Sequence, residues 1–373
     1  MQRKRRIDNH LAVHCGAQTL TQTCLVTGGA GFIGCAISSQ LKSHFAHVVA
    51  LDSMHPQIHP NPGRPSKLDP AVELVVGDVT HQDMWDELLS RIRPDVVIHL
   101  AAETGTGQSL TEGTRHASVN VVGTTQMLDA LVRHECLPRR VVLTSSRAVY
   151  GEGAWQDMSG TISYPGQRGL AQLEAGVWDF PGLTCLPFEA TRTVAHPTSI
   201  YGATKLAQEM ILSAWALSFD VEVGLLRLQN VYGPGQSLTN PYTGIVSLFA
   251  RLAKAGKVIP LYEDGEIVRD FVYIDDVARA VTGMACKPIP SNAAYDIGSG
   301  RATTIRELAT SIARIYGAPN PVVNGAFRNG DVRAASCDIT RSREQLDWSP
   351  QWDVERGVQA LCSWIDQQQL PLL

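Results

Sequence analysis

Short apolar runs, nearly unbroken and rich in β-branched residues, recur at 24–26, 48–51, 72–76, 96–100, 141–143 and 223–228. Runs of this kind suit strands buried on both faces. Stretches with helical spacing separate them, such as 84–93 and 120–133. The alternation predicts a doubly wound parallel sheet with crossover helices, an α/β fold of the Rossmann kind. Past residue 228 the pattern loosens into short elements broken by Gly and Pro, which predicts a second, smaller C-terminal α/β domain.

Two segments interrupt the pattern. Residues 56–70 hold five prolines and read as a loop. Residues 151–197 are turn-rich, with no clean period, and read as an insertion; a stretch this long in a compact domain usually carries function. The N-terminal residues 1–22 begin with the basic run Arg3-Lys4-Arg5-Arg6. Asp8, Asn9 and His10 then break any apolar stretch, so the segment reads as a solvated tail and not as a secretion signal.

Composition narrows the class. The chain has 373 residues, 44% hydrophobic and 18% charged, with a net charge of −4. That is an ordinary globular mixture, with no basic surface for nucleic acid. No run of about 18 uncharged apolar residues offers a membrane span. The eight cysteines form no C-x-x-C pair. They read as reduced thiols in a cytoplasmic protein, with no metal site.

The first chemistry lies at Thr27-Gly28-Gly29-Ala30-Gly31-Phe32-Ile33-Gly34, between the first predicted strand and a helix. Its glycines permit a tight turn, close approach of backbone to a pyrophosphate, and close helix–strand packing. The helix N-terminus then faces the phosphates. Asp52 ends the second strand, where a carboxylate accepts hydrogen bonds from ribose hydroxyls and repels a 2′-phosphate; NAD is favoured over NADP. The competing reading is a loop Asp without a ligand. Asp78, after the third strand, suits either the adenine edge or a helix cap. Residues 23–228 are therefore expected to form the NAD-binding domain, including the insertion over 151–197. Residues 229–373 are expected to bind mainly substrate and to interleave partly with the first domain.

Tyr201 and Lys205 stand four apart, on one face if the segment is helical. An ammonium beside a phenol lowers its pKa toward neutrality, and a phenolate can then take a proton from a hydroxyl. Ser145 and Ser146 end the fifth strand, where open parallel sheets place their active sites. They read as donors to a reacting oxygen, with local capping as the alternative.

Taken in order, T-G-G-A-G-F-I-G at 27–34, H-L-A-A-E at 99–103, S-S-R-A-V-Y-G at 145–151, Y-G-A-T-K at 201–205, L-R-L-Q-N-V-Y-G-P-G at 226–235 and R-D-F-V-Y-I-D-D at 269–276 carry a resemblance. The chain resembles the extended short-chain dehydrogenase/reductase family, and within it the NAD-dependent nucleotide-sugar epimerases and dehydratases. The resemblance spans residues 24–364. It implies Ser146, Tyr201 and Lys205 as catalytic residues. It implies Val79, Leu100, Ala101, Ala102, Asn120 and Val231 as further cofactor contacts, beside Gly28, Gly31, Phe32, Ile33, Gly34, Asp52, Asp78, Ser145, Tyr201 and Lys205. For a nucleotide-diphosphate sugar it implies Glu103, Thr104, Ser146, Arg147, Asn230, Arg269, Arg328 and Asp331. It also implies a homodimer through the helices over 120–133 and 204–217.

One departure selects a reaction. Sugar 4,6-dehydratases similar to this chain place an Asp-Glu pair just after the catalytic Ser/Thr, to eliminate water. Here those positions hold Arg147-Ala148. The resemblance therefore implies a 4-epimerase: transient oxidation at C4, then reduction on the opposite face with NAD regenerated. The strings at 101–109 and 230–244 are similar to dTDP-L-rhamnose 4-epimerases, which would carry paired cysteines in the insertion; this chain has Cys185 alone there. Competing readings are a UDP-hexose or UDP-hexuronate 4-epimerase, a 4,6-dehydratase or a 4-keto-reductase. A non-catalytic NAD-binding regulatory protein is the reading from another class.

Overall fold

The computed structural model describes residues 22–59, 63–238, 244–288, 290 and 292–368. The basic run at 3–6 lies outside the described residues, as does part of the 230–244 string. Seven parallel strands form the central sheet: β1 (Thr23–Thr27), β2 (His47–Asp52), β3 (Glu73–Val76), β4 (Val96–His99), β5 (Arg140–Ser146), β6 (Glu222–Leu228) and β7 (Ala293–Ile297). Their order across the sheet is β7-β6-β5-β4-β1-β2-β3. The strand order reverses between β1 and β4, and open α/β sheets bind ligands beyond the strand ends at such a point.

Alternate residues of each strand feed two separate cores, as a doubly wound sheet requires. Cys24, Val26, Val48, Ala50, Ile98 and Val142 pack on one face against α1 (Phe32–Lys42) and the helix Ile274–Cys286. Leu25, Val49, Leu51, Val97, Val141 and Leu143 pack on the other. That second face is covered by α2 (Gln82–Arg91), the helix Gly123–Arg133 and the helix Ile200–Phe219. A third core joins the helices Ile245–Lys254, Ile305–Tyr316 and Val354–Asp366 in the C-terminal half. The six apolar runs read from the sequence each fall on a sheet strand, with only Val72 and Leu100 just outside. The seventh, β7, comes from the C-terminal half and pairs with β6.

The insertion is ordered. Its strands Trp155–Gln156, Ile162–Ser163 and Thr184–Cys185 form a small antiparallel sheet. Buried charges tie it to the C-terminal half. Arg168, 1% exposed, donates to both oxygens of Glu263 at 2.8 and 2.9 Å. Arg333 reaches Glu263, Asp264 and Asp179. A buried carboxylate or guanidinium persists only when paired in this way. No helix among the described residues is long and apolar enough to cross a membrane.

Candidate active site

A cleft of about 370 Å³ opens above the carboxyl ends of β1, β2, β4 and β5. Its floor is the turn after β1. Gly28 has φ +66°, and a Cβ there would stand 2.8 Å from Ala101 N. A Cβ on Gly34 would stand 2.4 Å from Gly29 O, so only glycine lets α1 sit this close to the strand. Gly31 caps α1 without a side-chain acceptor, and no acid occupies the first turn. The free N–H groups of that turn are thus left for an anion. This bare, positively poled helix end fits the pyrophosphate of a dinucleotide.

Asp52 closes the ribose side. Its carboxylate accepts from Ala30 N at 3.0 Å and Met54 N at 2.9 Å, and lies 3.5 Å from His59 Nε2. Asp78 and Val79 line the same end of the cleft. Asp78 Oδ1 accepts from both the N–H and the hydroxyl of Thr80, while the cap of α2 falls on His81. Phe32, Ile33, Leu100, Ala101, Ala102, Ser145 and Val231 also line the cleft.

Asn120 does not line it. Its amide is engaged inside the protein, accepting from Glu103 N at 2.8 Å and donating to Glu103 O at 3.1 Å and Thr204 Oγ1 at 2.9 Å. It positions the loop after β4 against the helix Ile200–Phe219. The backbone opens into a π-turn, Ser118–Val122, around it. His99 is a second positioning group, between Thr27 Oγ1 at 2.7 Å and Thr124 Oγ1 at 3.0 Å. Burial, with Lys205 nearby, pulls its pKa down to about 3, so it stays neutral.

Ser146, Tyr201 and Lys205 meet in this cleft. Ser199 caps the helix that carries the last two by accepting from Gly202 N at 3.0 Å. The expected fall of the Tyr201 pKa does not occur here. Burial raises it, and the opposing influences are a hydrogen bond with Ser146 and the charge of Arg147. The same burial pulls the Lys205 ammonium down to about 7, against Glu209 one turn on. The cleft strips water from phenol and ammonium alike, and that loss outweighs the help of Ser146 and Arg147 at Tyr201 and of Glu209 at Lys205. Glu209 is itself held by Arg227 at 2.7 Å and by the Ser145 hydroxyl.

Arg147 follows Ser146 directly after β5. Its Nε donates to Asn230 Oδ1 at 2.8 Å, and with Arg269 and Asp331 it lines a small adjoining pocket. Two guanidinium groups beside one carboxylate leave positive charge for a diphosphate. Arg328, three residues before Asp331, stands 5.3 Å over the Tyr262 ring and lines neither pocket. Glu103 and Thr104 line the main cleft, and the Glu103 carboxylate pairs with Arg115 at 2.8 Å. Among the described residues, no group of three His, Cys, Asp or Glu could hold a metal ion.

Residues 24–168 and 181–298 match the NAD dependent epimerase/dehydratase family. The chain belongs to that family. It is 61% identical over 344 residues to the dTDP-L-rhamnose 4-epimerase of Burkholderia thailandensis, covering 92% of this chain and 95% of that one. The fold is similar to a UDP-glucose 4-epimerase of Thermotoga maritima solved with UDP-glucose (TM-score 0.77, 28% identity, 93% and 99% of the two chains). It is also similar to a UDP-glucose 4-epimerase of Thermus thermophilus solved with NAD (TM-score 0.75, 25% identity, 93% and 99%). As a member of the NAD dependent epimerase/dehydratase family, the protein is an enzyme with NAD as its cofactor. The cleft of this family member also uses Gln57, His55 and His59 from the proline-rich loop and Gln229, Gln236 and Ser237 after β6. Sequence reading passed over them because a loop side chain without a periodic pattern gives no local signal.

Proposed function

We propose that the protein is a dTDP-L-rhamnose 4-epimerase. The observation that carries this reading is the 61% identity, over nearly the whole of both chains, to an enzyme of that name. The geometry agrees with inversion: Ser146, Tyr201 and Lys205 share one cleft, and the residue after Ser146 is an arginine tied to Asn230.

Gly28, Gly31, Phe32, Ile33 and Gly34 would hold the cofactor phosphates, Asp52 its adenosine ribose, and Asp78 and Val79 its adenine. Leu100, Ala101, Ala102, Ser145 and Val231 would flank the rest. When bound, NAD supplies a reversible acceptor of hydride from the sugar. Tyr201 takes the proton of the C4 hydroxyl and returns it. Ser146 hydrogen-bonds the phenol and keeps it aimed. Lys205, held near neutrality in pKa, supplies a charge that answers the phenolate. Arg147 and Arg269 hold the sugar-nucleotide diphosphate, with Asn230 fixing Arg147 and Asp331 facing the nucleoside. Glu103 and Thr104 border the sugar.

In this reading residues 23–228 carry NAD and residues 229–373 chiefly the sugar nucleotide. We also infer a homodimer. Val122, Val132, Met210 and Leu217 are exposed on the two helical segments named for that interface, Leu217 by 75%. The seven cysteines among the described residues are free thiols, which supports a cytoplasmic enzyme. Incubation with a panel of dTDP- and UDP-sugars, followed by NMR, tests the function: the expected product is the C4 epimer of dTDP-L-rhamnose. A 6-deoxy-4-keto product from a dTDP-hexose would point to a dehydratase instead.

A further inference from the structure

Strands β2 and β4 flank β1 in the sheet, so the loops that follow them stand on either side of the glycine turn. These loops are joined to each other across the cleft. Gln57, in the loop after β2, exchanges amide hydrogen bonds with Gln108: Gln57 Nε2 to Gln108 Oε1 at 3.1 Å and Gln108 Nε2 to Gln57 Oε1 at 3.3 Å. Arg115 adds a third bond, from Nη2 to Gln57 Oε1 at 2.9 Å. The same Nη2 donates to Glu103 Oε2 at 2.8 Å, in the loop after β4. Glu112 steadies the far side, accepting from Gln108 at 3.1 Å and pairing with Arg115 at 2.8 Å. Gln57 borders the cleft, whereas Gln108 is buried outside its lining. Gln57 and Glu103, which both line the cleft, are thus tied to each other through Arg115.

We infer that the Gln57–Gln108–Arg115 bridge is a clasp that retains NAD in the cleft from one turnover to the next. The inference rests on the reading of the cleft as the NAD site. An epimerase returns its cofactor to the starting oxidation state in each cycle, so retention does not slow its turnover. A net oxidoreductase must release its cofactor, and a closed bridge would slow it.

The test measures release of NAD, not sugar turnover. The protein is purified, desalted and assayed for bound NAD, and exchange against isotopically labelled NAD is followed for the parent, Gln57→Ala, Gln108→Ala and the double variant. The parent is expected to keep its NAD through desalting. Each single variant is expected to release it at least tenfold faster, and the double variant no more than about twofold faster than the faster single, because both sides of one clasp are already open. Binding affinity changes of this type reside mainly in the dissociation rate. Three results would overturn the clasp: a parent that loses NAD during desalting, single variants that release NAD at the parent rate, or effects that multiply in the double variant. A protein that never binds NAD would overturn the cofactor reading as well, which separates the two failures.

Discussion

Arg147 Nε and Asn230 Oδ1 lie 2.8 Å apart, which ties the residue after Ser146 to the first residue of the short strand Asn230–Tyr232. The bond fixes a guanidinium where water elimination would need an acid. The next side chain, Ala148, is buried and inert. Removing a proton from C5 and protonating a leaving hydroxyl both require titratable groups. Neither Arg147 nor Ala148 supplies such a group, and in the proposed reading Tyr201 carries the proton transfer that inversion through a ketone needs.

Tyr201→Phe keeps the ring and removes the proton carrier. The expected loss in kcat is about 10²- to 10⁴-fold, the usual span for general acid–base catalysis, with bound NAD retained. Steady-state kinetics and the NAD content of the purified variant check this together. Full activity in the variant would assign the base to another group.

The buried charges under the insertion set a pH dependence of stability. Burial pushes the Glu152 carboxyl up to about 7, and Arg168 only partly offsets this. Arg168 directs its terminal nitrogens to Glu263, Trp178 O and Asp331 O; its Nε stays 3.5 Å from Glu152. A raised carboxyl pKa favours the neutral form in the folded protein. Its stabilising contribution is complete below about pH 4.5 and is lost as pH rises through about 7. Glu152→Gln keeps a neutral acceptor for Arg333 N. Its stability relative to the parent should therefore rise between pH 5 and pH 8, by roughly 1–3 kcal/mol at about 1.4 kcal/mol per pKa unit. Thermal unfolding of both proteins across that range checks the sign; a variant that falls behind with rising pH would mean the ion pair with Arg168 dominates.

Met210 and Leu217 stand two helical turns apart on the helix Ile200–Phe219, exposed by 63% and 75%. Large apolar groups left in water on one helix face mark a contact surface. The double variant Met210→Glu, Leu217→Glu should be a monomer by light scattering, while the parent is a dimer. A parent that is monomeric at micromolar concentration would rule out the dimer.

Much of this architecture was legible before any coordinates. The six apolar runs could be read because most of their strands are buried on both faces and the runs hold at most one polar residue each, Glu73, His99 or Arg227. β7 could not: its sequence Ala-Ala-Tyr-Asp-Ile places Asp296 in the sheet, and its partners there, the Tyr150 hydroxyl 146 positions away, the Ala190 N–H and the Arg227 charge, are all distant in sequence. The insertion hid its order for a related reason. Its strands are two residues long, and the ion pairs of Arg168 and Arg333 hold it with partners more than 60 residues distant. The glycine turn and the Tyr-x-x-x-Lys pair were visible as local motifs. The balance between burial and charge at Tyr201 and Lys205 was not, because desolvation depends on walls supplied by four different strands.

Inversion at C4 through a transient ketone should need no added redox partner, and the hydrogen on C4 should travel to NAD and back without meeting solvent. The decisive measurement uses dTDP-L-rhamnose carrying deuterium at C4, incubated with the purified protein in ordinary water and followed by proton NMR. The expected result is a mixture of the sugar and its C4 epimer, deuterium retained in both, and no net change in nicotinamide absorbance. No epimer at all, or an epimer formed with loss of the deuterium to solvent, would contradict it.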